Sequence, residues 1–164
     1  MKTFIATFAL LAATITVTAC DEPRDEGSVQ QQQLEQADLQ IEDALAIADA
    51  DHDEAVVVEA VFEAGVELGW YEVTVVVGDD EIVYEIDART GERVQLARRL
   101  ANADHRRRAE LHRRLRHRLA QAIAEHRRGH ADLRIVLARL LDSEVELETL
   151  DRGVRERIRL ALAE

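Results

Sequence analysis

The chain has one cysteine, one proline and one tryptophan in 164 residues, and its only lysine, Lys2, stands against twenty arginines. Each shortage excludes something. A lone Cys20 has no partner for an internal disulfide. With Ser28 and Ser143 as the only serines, a serine or cysteine nucleophile lacks its parts, so no enzyme is expected. Seven scattered glycines build no phosphate-cradling loop. Aromatic residues make up 4% of the chain, too few for a base-stacking platform, and nucleic acid is not an expected partner. The longest uncharged apolar stretch, residues 4–17, is shorter than the roughly 20 residues of a membrane-spanning helix.

That stretch, preceded by Lys2, has the form of an export signal. Val17-Thr18-Ala19-Cys20 resembles a bacterial lipobox, which implies cleavage over residues 1–19 and a lipid-anchored Cys20. A protein so processed faces the periplasm from a bacterial envelope membrane. Asp21 after the cysteine leans toward the inner membrane. Residues 20–37, with Pro23, Gly27 and four consecutive glutamines, are expected to form a flexible tether.

Charge then splits the chain. Residues 21–95 hold 22 acidic groups against three arginines, a balance of −19. Residues 98–128 hold eleven arginines against three acidic groups, a balance of +8. Two segments with different tasks, or two halves that attract each other, follow from such a division.

Within the acidic half, Leu39, Ile41, Ala44, Leu45 and Ala48 recur at helical spacing and predict a helix near 38–50 with Asp38 as N-cap. Period-2 alternation follows. Val56, Val58, Ala60 and Phe62 share one face of a first strand, and Tyr71, Val73, Val75 and Val77 one face of a second. Gly78 and Asp79 turn the chain into a third strand with Ile82, Tyr84 and Ile86 on one side. At its end Asp87 is placed to accept backbone amides, and Gly91 to take a positive φ. A short strand near 92–95 closes the sheet. The run Asp87-Ala88-Arg89-Thr90-Gly91-Glu92, with Tyr71-Glu72-Val73 and the helix Ala44-Leu45-Ala46-Ile47-Ala48, resembles the PepSY domain of bacterial envelope proteins and protease propeptides. The resemblance spans 38–96. It implies an α+β unit of one helix on a small antiparallel sheet, and a role in binding or inhibiting a peptidase. Tyr71, Tyr84, Asp87 and Gly91 are the residues expected to hold that module together.

Residues 97–164 read as an all-helical segment, a hairpin or small bundle. Leu111, Leu115, Leu119 and Ile123 stripe an arginine-covered helix of about 97–128 that ends at Gly129. Leu133, Val136, Leu137, Leu140 and Leu141 face a second helix. Ser143 and Glu146 resemble a capping box opening a third, lined by Leu147, Leu150, Val154 and Ile158. Gly153 inside it would cost about 1 kcal/mol relative to alanine. No internal repeat is legible.

Three clusters invite a ligand. The acidic run Asp49 to Glu54 lacks the glycine and the distal glutamate of a calcium loop. His126 and His130 stand four apart, as metal ligands on a helix would, with Gly129 between them. Arg106, Arg107, Arg113 and Arg114 offer a surface for an anionic partner, whether lipid headgroups or an acidic protein. No cofactor is expected. The sequence supports a lipid-anchored, non-enzymatic envelope protein whose PepSY-like domain binds and modulates a peptidase or other envelope protein. The alternatives are a metal- or stress-sensing accessory using the histidines, and a structural adaptor using the basic helix.

Overall fold

The computed structural model describes residues 26–50, 52–113, 117–130 and 132–162. The expected signal, Cys20 and Arg114 lie outside them. Eleven elements follow in chain order: α1 (Glu26–Glu35), α2 (Ile41–Asp49), β1 (Val56–Ala64), β2 (Gly69–Val77), β3 (Asp80–Asp87), β4 (Arg93–Leu100), α3 (Ala103–His112), α4 (Arg118–Gly129), β5 (Arg134–Leu140), β6 (Glu144–Asp151) and β7 (Val154–Ala161). The strands make one seven-stranded sheet in the order β4-β3-β2-β1-β5-β6-β7. Every neighbouring pair is antiparallel.

The α+β class holds, but the C-terminal segment is not all-helical. Among the described residues there, α3 and α4 are the α-helices, and residues 134–161 form three strands. Nor is the first sheet small. β1, at the edge of the expected module, lies at the centre of the whole sheet.

The order is symmetric about the β1/β5 contact. Outward from it run β2 and β3 on one side and β6 and β7 on the other, each set preceded by two helices. The seam is three residue pairs long: Glu59 with Arg139, Ala60 with Ala138, and Val61 with Leu137. Ala60 follows Ile41 of α2 at the same interval as Ala138 follows Leu119 of α4, so equivalent residues meet on a pseudo-twofold axis. In α2 the buried residues are Ile41, Ala44, Leu45 and Ala48; in α4 they are Leu119, Ala122 and Ile123. Two-residue turns join β2 to β3 and β6 to β7. Gly78 (φ 62°) serves the first, and Arg152 (φ 50°) with Gly153 (φ 79°) the second. Those primed geometries match the strand twist. β4 has no counterpart in the second half.

Residues 26–35 are not a tether. In α1 the glutamines are bolts. Gln30 Nε2 donates to Phe62 O at 2.9 Å, the first β1 carbonyl beyond the last residue paired with β5. Gln33 donates to Gly65 O and accepts from Gly65 N, both at 2.9 Å. Gln30, Gln33 and Leu34 are all buried. At the other end of the seam α3 does the same, with His112 Nε2–H donating to Leu141 O at 2.8 Å. Each half thus sends its first helix to close one end of a short seam. A side-chain amide suits this because it both donates and accepts.

Charge explains why the second half folds as strands. Glu144, Glu146 and Glu148 alternate along β6, and Arg155, Arg157 and Arg159 alternate along β7. The register sets Glu146 opposite Arg159 and Glu148 opposite Arg157. Glu146 and Glu148 are buried yet paired. Arg159 reaches Glu146 at 3.2 Å, and Arg155 and Arg157 reach Glu148 at 2.8 and 3.3 Å. Arg139 of β5 joins Glu59 of β1 across the seam. Buried carboxylates are tolerated only with such partners.

Candidate protein-binding edge

The strand–turn–strand from β3 to β4 is built by Asp87. Its Oδ1 accepts the amides of Arg89 and Thr90 at 2.9 and 2.7 Å, and its carbonyl accepts Gly91 N at 2.9 Å. Gly91 has φ 73°, and a Cβ there would sit 3.3 Å from Ile47 Cδ1 and Leu39 Cδ1. The turn therefore packs against α2 and the chain before it. Tyr71, buried, donates to Leu39 O at 3.0 Å, and its ring meets Phe62 edge to face at 5.3 Å. Burial pushes the Tyr71 hydroxyl well above its ordinary pKa. Tyr84 lies 3.1 Å from His52 Nε2, with the Arg93 guanidinium 4.8 Å from its ring centroid. Arg93 also donates to Ile47 O, tying β4 to α2.

The Asp87 carboxyl lies below its ordinary pKa because the Thr90 amide bonds the charged form, aided by the Arg89 amide and opposed by partial burial. Glu81 is lowered too: burial acts against this, but bonds from Arg99 and His105 prevail. Both carboxylates therefore stabilise the fold above their unfolded pKa values of about 4 and lose that contribution as pH falls through the lower folded values. Asp87→Ala is expected to cost about 1–2 kcal/mol at pH 7, from two lost charge-assisted bonds. The deficit should shrink in acid as pH falls through the lowered folded pKa of Asp87 and the wild-type carboxylate takes up its proton. Urea unfolding at pH 7 and over a descending acid series measures both.

β4 is the outermost strand, so among the described residues one side of its backbone meets no other strand. Its large apolar residues are exposed: Val94 at 52%, Leu96 at 51% and Leu100 at 75%. Leu96 sits where the β3/β4 register slips by a bulge. On the same strand Arg98 pairs with Asp80 at 2.6 Å and Arg99 with Glu81 at 2.7 Å. Glu81 is 1% exposed and also contacts His105 Nδ1 at 2.6 Å, so the hairpin, the edge strand and α3 share one buried carboxylate. Sequence reading missed this cluster, although Asp80-Glu81 and Arg98-Arg99 stand as complementary doublets on paired strands. The other edge, β7, exposes Val154 but otherwise carries mainly arginines and Glu156.

The remaining expected sites are dispersed. Arg106 is exposed on α3, Arg107 pairs with Asp142 at 2.8 Å, and Arg113 pairs with Glu110 at 2.8 Å. His126 and His130 stack with ring centroids 4.8 Å apart. Burial first, then the neighbouring His130 and Arg127, lowers the His126 pKa and favours its neutral form. Among the described residues no group of three or more His, Cys, Asp or Glu side chains gathers as a metal site. In the acidic run, His52 turns to Tyr84.

Residues 39–92 match the family model described as Peptidase propeptide and YPEB domain, PepSY. The match takes in α2, β1, β2, β3 and the Asp87 turn, about a third of the chain, and stops just before β4. No curated protein matches the sequence. Among solved structures the chain is similar to that of a predicted lipoprotein from Clostridium difficile 630. The two share 16% identity with a TM-score of 0.41, over 75% of this chain and 94% of that one.

Proposed function

We propose that this chain is a lipid-anchored, non-enzymatic protein of the bacterial envelope whose PepSY unit binds and modulates a protein partner, foremost a peptidase, along β4. The observation that carries the reading is the open edge. An edge strand whose outer side is open, with Val94, Leu96 and Leu100 exposed, suits an extended partner segment, which would gain main-chain bonds and apolar contacts. Arg93, Arg98 and Arg99 discourage pairing with a second copy of this edge. The lipobox-like Val17-Thr18-Ala19-Cys20 supports the anchor, and the scarcity of nucleophiles supports a non-enzymatic role.

The test is inhibition of a panel of purified envelope peptidases by the full chain and by the double variant Val94→Glu/Leu96→Glu. Both positions are half exposed, so stability should change by no more than about 0.5 kcal/mol. We expect at least one peptidase to be slowed, and the double variant to be at least tenfold less effective. No inhibition across the panel counts against a peptidase partner. Equal inhibition by the variant removes β4 from the mechanism.

A further inference from the structure

The sheet face beside β4 differs in charge from its counterpart across the seam. Ala60 and Ala138 meet on the pseudo-twofold axis, so Val61 and Arg139, one residue on, hold matching places. From Val61 the register runs outward through Glu72 of β2 and Glu85 of β3 to Val94 of β4. From Arg139 it runs through Glu146 of β6 to Arg159 of β7. Glu72 therefore matches Glu146, and Glu85 matches Arg159. Glu146 has an arginine on each side, Arg139 at 3.8 Å and Arg159 at 3.2 Å. Glu72 has Val61 on one side and another carboxylate, Glu85, on the other. Like charges directly opposite on paired strands repel. Among the described residues neither Glu72 nor Glu85 has an ion-pair partner. Glu72 is exposed, Glu85 is half-buried, and the half-buried Trp70 stands two residues before Glu72 on the same face.

We propose that the partner segment added to β4 supplies the missing cation as an arginine, at the position facing Val94. A residue opposite Val94 on an added antiparallel strand shares its face with Val94, Glu85 and Glu72, because opposed residues point the same way. Glu85 then lies two strand spacings away, about 10 Å, within the combined reach of an arginine and a glutamate side chain. The arginine stem crosses the exposed Val94, and apolar methylenes suit that surface. Its planar fork of five N–H donors can engage both carboxylates and lie on the Trp70 ring, whereas an ammonium is a single point charge. The partner segment is thus extended and basic, and it fills the place that Arg159 fills in the second half.

This inference rests on β4 being the partner-binding edge, and the test separates the two. The probes are blocked heptapeptides, acetyl-Ser-Val-Thr-X-Thr-Val-Ser-amide, with arginine, lysine, glutamine or glutamate at X. They are titrated into the full chain while the amide resonances of Val94 and Leu96 and the indole resonance of Trp70, the only tryptophan, are followed. We expect the arginine peptide to bind at least fivefold tighter than the glutamine peptide and at least twofold tighter than the lysine peptide. Glu85→Gln should erase the arginine preference. Glu85→Arg, which places in the first half the cation that Arg159 supplies in the second, should also erase it and should raise the urea midpoint of the free chain. Equal shifts at Val94 and Leu96 from all four peptides would overturn the proposal and leave the β4 edge standing; no shift from any of them would overturn both. Lysine binding as tightly as arginine, or an arginine preference that survives Glu85→Gln, would also overturn it. So would a second copy seated on β4, seen as a mass that doubles with concentration in the absence of peptide.

Discussion

A chain ending at Leu100 is expected to lose cooperative unfolding altogether, although it retains the whole PepSY match. β1 is the reason. It is the centre of the seven-stranded sheet, with Val56, Val58, Ala60 and Phe62 all 0–2% exposed. Cutting after Leu100 removes β5 from its open side. It also removes α3, which packs on β1 and β2, and α4, whose Leu119 and Ile123 are buried. Arg139, the partner of the part-buried Glu59, and Arg127, the partner of Glu42, go with them. Domains have only about 5–15 kcal/mol of net stability, and this cut exposes a long apolar edge as well as half the core. A broad urea transition followed by circular dichroism, with dye binding to exposed apolar surface, is the expected record. A sharp transition in the truncated chain would instead make the two halves independent domains.

Leu147→Ala is expected to cost about 2–5 kcal/mol, because Leu147 is fully buried in β6 between Ala138 and Ile158. Val154→Ala, seven residues on, should change stability by less than about 0.5 kcal/mol, since Val154 is 68% exposed. On a helix the two side chains would share a face and behave alike. Gly153→Ala adds a test of sign. In a helix it would stabilise by about 1 kcal/mol, but at φ 79° in a hairpin turn it should destabilise by about 1–2 kcal/mol. Denaturant midpoints of the three variants read all of these. Similar losses for Leu147→Ala and Val154→Ala, with a gain for Gly153→Ala, would contradict the strand assignment.

The first half was legible because its strands alternate apolar and polar residues and its turns carry glycine where positive φ is needed. Tyr71, Tyr84, Asp87 and Gly91 were read from those patterns; in the structure Tyr71 bonds Leu39 O, Tyr84 lies beside His52, Asp87 accepts the turn amides and Gly91 abuts Leu39 and Ile47. The helix began later than Asp38 suggested, at Ile41 with Gln40 as its cap. α1 was hidden because its anchors are glutamines, whose value appears only when Phe62 O and Gly65 are placed beside them. The second half misled for two physical reasons. A bulge between Ile135 and Leu137 breaks the alternation of β5 and leaves Leu133, Val136, Leu137 and Leu140 at helical spacing. In β6 and β7 the alternating partner of leucine is Glu or Arg, which are good helix formers. Matched Glu and Arg alternation on either side of Asp151-Arg152-Gly153 was the overlooked sign of a hairpin. The repeat stayed invisible for the same cause: α2 and α4 share spacing rather than residues, and the alanine pair at the seam has no sequence signature of its own.

The division of charge also takes on a structural meaning. Arg127, His105 and His117 of the basic segment, and Arg139 beyond it, meet Glu42, Glu81, Asp49 and Glu59 of the acidic half respectively. Of the expected anionic-partner residues, Arg107 and Arg113 pair with Asp142 and Glu110 and Arg106 is exposed, and the β4 edge remains the proposed recognition surface.

The most direct test of that edge is a photocrosslinking amino acid placed singly at positions 94, 96 and 154 of the full chain in envelope membranes. The account predicts one common protein adduct from positions 94 and 96 and none from 154 on the opposite edge. An adduct formed at 154 alone, or equally at all three, would contradict it.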